Sequence, residues 1–349
     1  MDGYVDTAFK SVADVFQSLF DSGQETGAAL AVYVDGRLVL DVWGGWADVA
    51  RSRPWQPDTL ATTFSVGKPL AALAVLRHVA SGAIDLDKPV ARYWPEFAAH
   101  GKDQATVRHA LCHAAGVPAV KEALNPEDAF DWDRFCQAIA DTPPEWEPGT
   151  KFGEHALTYG NLIGNVLKRA TGKTIGQVLR EEVRQDVYIG LNPTKDVAEH
   201  EHASENWPTE AIQGHGDLWE RALGNPRGLL ETEVLNGHGW RTSEIPAVNG
   251  HCTARGLAAV YEDLPNLLPE DLLAEAIKPQ VEGVDQLLQE HAVWTLGWRR
   301  DGGWYGMGGV GGSSAGHDEE KGYTLAYVTR RLGTHDRGNA CWDAMDECL

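Results

Sequence analysis

The stretch Phe64-Ser65-Val66-Gly67-Lys68-Pro69-Leu70-Ala71-Ala72-Leu73-Ala74-Val75-Leu76 sets an S-x-x-K tetrapeptide at the mouth of an apolar segment. Pro69 lacks an N–H and suits only the first turn of a helix, so the spacing predicts a helix that begins near Ser65 and runs to Ser81. A lysine three residues after a serine on a helix shares its face. A serine hydroxyl is a poor nucleophile until a base removes its proton. A desolvated lysine amine, its pKa lowered, can be that base. Free N–H groups and the positive dipole end at a helix start also favour negative charge developing at Ser65. Alone, the tetrapeptide reads as a serine near a helix start with an exposed lysine; the surroundings give it meaning.

Working outward, Ala28 to Val34 and Leu38 to Trp43 are rich in β-formers, and Asp35-Gly36 between them marks a hairpin. Strand character returns only near the end, at Val293 to Arg299, from Trp304 onwards, and at Tyr323 to Thr329. A last helix is expected over Asn339 to Cys348. The middle carries helical patterns at Thr106 to Ala114, Trp132 to Asp141, His155 to Thr171 and Ile175 to Val183, with Gly172 as a C-cap. Pro143-Pro144, Pro148-Gly149 and Pro193 punctuate the loops. His200 to Gly239 reads as long loops over a site. The expected fold is therefore α+β. One antiparallel sheet is built from both termini (residues 1–60 and 241–349) and flanked by helices, with a mainly helical region (61–240) inserted.

Composition narrows the partners. With 30 Lys and Arg against 51 Asp and Glu, the net charge is −21. Such a surface repels phosphate backbones and anionic membranes, so neither nucleic acid nor membrane is expected as a partner. Phe9, Val12, Phe16, Leu19 and Phe20 recur at helical spacing among polar residues. That is an amphipathic core helix rather than a signal peptide. Five cysteines without a C-x-x-C point to a reducing compartment, and a cytoplasmic location is the expectation.

Taken together, several segments resemble the serine β-lactamase and penicillin-binding-protein superfamily, and most closely its esterase branch, the family VIII carboxylesterases. They are Gly36 to Asp48, Phe64 to Leu76, Gly82 to Phe97, Thr106 to Pro118, Asn249 to Tyr261 and Gly306 to Gly312. The resemblance implies an acyl-enzyme on Ser65, with Lys68 as its base and a tyrosine sharing the proton work. It also implies an oxyanion hole made by the serine N–H and one N–H of the third-motif strand, here Val310, with Gly309 letting substrate lie close. Tyr159-Gly160-Asn161 matches the second motif, which would make Tyr159 the relay and Asn161 a substrate-orienting group.

Two departures stand out. The esterase branch usually has a tyrosine just before a histidine, where this chain has Gly153-Glu154-His155-Ala156. Glu154 would then replace the tyrosine, His155 is a third option, and Tyr159 would fall on the buried stripe of its helix with Leu162 and Ile163. In the third motif, Met307 stands where a lysine or histidine is usual. Methionine carries no charge and donates no hydrogen bond, so a substrate carboxylate loses its anchor.

Other signals carry no cofactor or metal. Gly306 to Gly311 spells G-x-G-x-x-G, but a strand follows it rather than the helix a dinucleotide site needs. His200-Glu201-His202 reads as a solvated run. His113 and His251 read as satisfied interior histidines, and Cys112, Cys136 and Cys252 as small buried residues. Trp207, Trp219 and Trp240 are candidates to line an apolar acyl pocket. The expected activity is hydrolysis of small neutral carboxylic esters, with acyl transfer as its nearest variant. The alternatives are a β-lactam or amide hydrolase, and a non-catalytic ligand-binding protein on the same fold.

Overall fold

In the computed structural model, residues 1–191 and 195–349 are described; Pro193 lies outside them. Nine strands form one antiparallel sheet. They are β1 (Asp2–Val5), β2 (Gly27–Val34), β3 (Arg37–Gly45), β4 (Val281–Val284), β5 (His291–Trp294), β6 (Arg299–Asp301), β7 (Trp304–Gly308), β8 (Ser314–Asp318) and β9 (Tyr323–Thr329). Their spatial order is β1-β3-β2-β9-β8-β7-β6-β5-β4. The first and last portions of the chain therefore meet at the β2–β9 pair, where Ala31 stands opposite Ala326. Asp35 and Gly36 close the β2–β3 hairpin with φ of 48° and 74°. That is the left-handed pair a two-residue turn requires.

Period-two alternation divides β2 between two cores. Ala28, Leu30 and Val32 pack with helix α1 (Lys10–Asp21) and a C-terminal helix (Asp336–Asp346). Ala29 and Ala31 turn to the opposite, helix-rich side. There lies α2 (Gly67–Ala80), whose residues from Gly67 to Leu76 are all buried. A helix apolar on every side belongs in an interior. Beside it runs α3 (Thr158–Thr171), burying Tyr159, Leu162, Ile163, Val166 and Leu167. Gly172 caps α3 in the left-handed region at φ 77°. The C-terminal helix is α4.

Two expectations need correction. The stretch from His200 to Gly239 is not a set of long loops. It folds into short helices at Trp207–Ile212, Asp217–Leu223, Thr232–Leu235 and His238–Thr242. Segments of one or two turns are too brief for their periodicity to be read. The sheet also gains edge strands β1 and β4 that composition did not mark, because both are largely exposed.

Candidate active site

Ser65 lies in the turn leading into α2, and the Lys68 N–H donates to its carbonyl at 2.9 Å. Phe64, just before it, holds φ at 50°. A bulky residue in the left-handed region is strained, and surrounding structure must over-determine it. Here the Phe64 ring packs against His200 and Trp240, while the Thr63 N–H donates to Gly250 O at 2.8 Å. The turn thus aims Ser65 into a cavity of about 930 Å³ that also meets Glu154, Trp207, Trp219, Leu288, Trp294, Met307 and Val310.

Lys68 is fully buried. Its Nζ lies 2.7 Å from Ser65 Oγ, 3.0 Å from Glu154 Oε1 and 3.3 Å from Ala247 O. A neutral amine has two N–H groups and one lone pair. Three oxygens within reach equally suit the three donors of an ammonium, and loss of one proton leaves the lone pair free for the Ser65 hydroxyl. Burial drives the Lys68 pKa below the usual amine range, opposed by the Glu154 carboxylate. Two residues on from Ala247, Asn249 ties this segment down: its Nδ2 donates to Trp240 O and Ser243 O and its Oδ1 accepts from the Ile245 N–H.

Glu154 is fixed through its backbone. Its N–H donates to the Asp285 carboxylate at 3.0 Å. Asp285 is fully buried and also accepts from the Leu287 and Leu288 N–H groups and from Trp294 Nε1. Burial raises its pKa, against the pull of those donors. Sequence reasoning missed Asp285. Its local Asx-type bonds to residues two and three ahead are a turn signal, but nothing local announces a partner 131 residues away.

The remaining candidates separate. Tyr159 is fully buried and its hydroxyl donates to Leu111 O at 3.1 Å. Its ring stacks on His113, and burial holds the phenol protonated. It is not among the residues facing the cavity. His155 is also turned to structural use. Its Nδ1 donates to Gly153 O at 2.8 Å, its Nε2 accepts from the Val117 N–H at 3.1 Å, and burial lowers its pKa to about 4. Both ring nitrogens are occupied, so His155 has no atom left for a relay. Asn161 is fully buried away from the cavity, and its amide has no partner among the described residues. His113 and His251 are interior as expected but not satisfied: His113 Nε2 and both His251 ring nitrogens lack partners among the described residues. Trp240 is buried behind the nucleophile turn, its Nε1 donating to Thr62 Oγ1; Trp207 and Trp219 do face the cavity.

At the end of β7, Gly309 presses on the nucleophile turn. A Cβ there would fall 2.3 Å from Thr63 O and 3.3 Å from Ser65 N. Glycine alone permits this approach. Among the described residues, neither the Ser65 nor the Val310 N–H donates a hydrogen bond within the protein. Met307 packs with Trp294, Cys112 and Phe152 at the cavity wall.

Comparison with known proteins follows this geometry. The family model described as Beta-lactamase matches residues 12–348. The esterase/beta-lactamase LipL of Mycobacterium tuberculosis is 32% identical over 367 aligned positions, covering 95% of this chain and 83% of that protein. The crystal structure of a family VIII carboxylesterase superposes with TM-score 0.90 at 32% identity, over 100% of this chain and 99% of the other. A penicillin-binding protein homologue from Caulobacter crescentus gives TM-score 0.89 at 31% identity, over 100% and 99%.

Proposed function

The chain belongs to the β-lactamase family, and from that membership we propose that it is a serine esterase cleaving small neutral carboxylic esters through an acyl-Ser65 intermediate. The observation that carries the reading is the 2.7 Å contact between Ser65 Oγ and a completely buried Lys68 Nζ.

Neutral Lys68 takes the Ser65 proton as Oγ attacks the ester carbonyl. The oxyanion that forms is met by the Ser65 and Val310 N–H groups, donors fixed in advance. The Lys68 ammonium, stabilised by Glu154, then protonates the departing alcohol. Water next attacks the acyl carbonyl. Its proton passes to the Lys68–Glu154 pair, and Ser65 leaves with a proton restored. Glu154, which reaches the cavity, fills the relay position in this scheme; Tyr159 supports the core. Trp207, Trp219 and Leu288 give the acyl group apolar walls. Met307 supplies no anchor for a substrate carboxylate; of the charged groups lining the cavity, Glu210, Asp301, Asp318 and Asp346 repel one, and the Arg299 guanidinium is engaged by Glu290. These features favour neutral esters over β-lactams. The Ser65–Lys68 hydrogen bond supports a working nucleophile over a non-catalytic binding site.

The test is intact-protein mass after incubation with a fluorophosphonate. One adduct on the native protein and none on Ser65→Ala is expected. An adduct that persists on Ser65→Ala, or full ester turnover by that variant, refutes the mechanism.

A further inference from the structure

Val310 sits between two glycine pairs, Gly308-Gly309 and Gly311-Gly312, and the second pair holds φ of 99° and 113°. Glycines admit such a turn but give it no stiffness of their own. An oxyanion donor stabilises the transition state only if its N–H is already oriented. On one side of Val310, the Gly309 N–H donates to Ser313 O at 2.8 Å. On the other, the Gly311 carbonyl accepts from the Gly333 N–H at 3.0 Å and from Arg337 Nη2 at 3.1 Å.

Arg337 belongs to α4 and is itself held. Its Nη2 also donates to Arg331 O at 2.7 Å, and its Nη1 donates to Glu25 Oε2 at 2.8 Å. The two side chains are 6% and 0% exposed. Glu25 Oε2 also accepts from the Tyr327 and Thr329 hydroxyls, and Oε1 from the Thr26 and Gly27 N–H groups. The guanidinium is thereby locked to the start of β2, to β9 and to the loop after β7. A buried ion pair contributes little net stability compared with apolar groups of similar volume. Neither residue lines the cavity.

We propose that the buried Glu25–Arg337 pair is a positioning device for the oxyanion hole: it pins the Gly311 carbonyl and so fixes the direction of the Val310 N–H. The inference rests on Val310 as the oxyanion donor.

The test measures p-nitrophenyl ester kinetics and the affinity of an arylboronic acid, a tetrahedral mimic, in Arg337→Lys and Glu25→Gln. Lysine keeps the charge but cannot hold Gly311, Arg331 and Glu25 in one plane. Removal of a whole oxyanion donor costs ~10²–10³ in kcat, so a misaimed one is expected to lower kcat ~10- to 100-fold. KM should stay within about twofold, and boronate affinity should fall by a factor like that in kcat. Glu25→Gln should show the same pattern at smaller size, and it decides the matter if Arg337→Lys does not fold. Wild-type kcat in either folded variant overturns the proposal, as does a change confined to KM or a kcat loss with boronate affinity intact. Val310→Pro, which deletes the N–H, separates the two readings. If that variant keeps wild-type kcat, Val310 is not the donor. If it is impaired while folded Arg337→Lys is not, the donor stands and the positioning role falls.

Discussion

Glu154 Oε1 stands 3.0 Å from Lys68 Nζ, yet only the carboxylate reaches the cavity: the lysine side chain is 0% exposed and the glutamate 11%. In the proposed mechanism the base for Ser65 is therefore sealed off, and its proton traffic with water would pass through its neighbour. Glu154→Gln keeps the shape and an acceptor but removes the charge. Deacylation should suffer most, with kcat falling ~10²-fold and acyl-enzyme accumulating in intact-mass spectra. Lys68 must be neutral to act, so the rate rises with pH through its pKa. Burial lowers that pKa and Glu154 raises it. Loss of the carboxylate therefore moves the acid limb of kcat/KM to lower pH. A limb that stays put or moves upward refutes the assignment.

Tyr159→Phe removes one buried hydrogen bond, to Leu111 O. The expected cost is about 1 kcal/mol of stability by urea denaturation, with kcat on p-nitrophenyl esters essentially retained. A large rate loss at unchanged stability would return the relay to Tyr159.

Asp285→Ala leaves the N–H groups of Glu154, Leu287 and Leu288 and the Trp294 indole without their acceptor. Each buried donor so orphaned costs ~1–3 kcal/mol, partly relieved by relaxation. Denaturant midpoints should fall well below the wild type. Leu288 and Trp294 also wall the cavity, so KM for bulky acyl groups should rise more than KM for acetyl esters. Equal changes for all esters would place the effect elsewhere.

Met307→Lys places a cation at the cavity wall, where Met307 is 4% exposed. A charge-assisted hydrogen bond to a substrate carboxylate is worth ~1.5–3 kcal/mol. Hydrolysis of a chromogenic cephalosporin should therefore rise by roughly tenfold or more relative to neutral esters. A cephalosporin rate unchanged in a folded variant would show that the missing cation does not set substrate choice.

The parts legible in the sequence are those whose cause is local. Pro69 marks the first turn of α2, Asp35-Gly36 the hairpin, Gly172 the end of α3, and the 159–162–163 stripe the burial of Tyr159. The contact between Ser65 and Lys68 follows from their spacing of three. What stayed hidden is long-range. The choice between Glu154 and Tyr159 depends on which side of α3's entry faces Lys68, and no residue near position 154 states that. Asp285 reaches Glu154 only because β4 and β5 bring their connecting loop against the start of α3. The short helices between Trp207 and Thr242 are set by tertiary packing rather than by their own periodicity, and only the first two of them reach the cavity.

The neighbouring of β2 and β9 has a consequence for synthesis. A ribosome completes β2 long before Tyr323 to Thr329 emerge to pair with it. Until then the nascent chain exposes an unpaired strand edge, a state prone to aggregation. Translation halted short of the last hairpin should therefore yield Ser65 and Lys68 in sequence but no working enzyme.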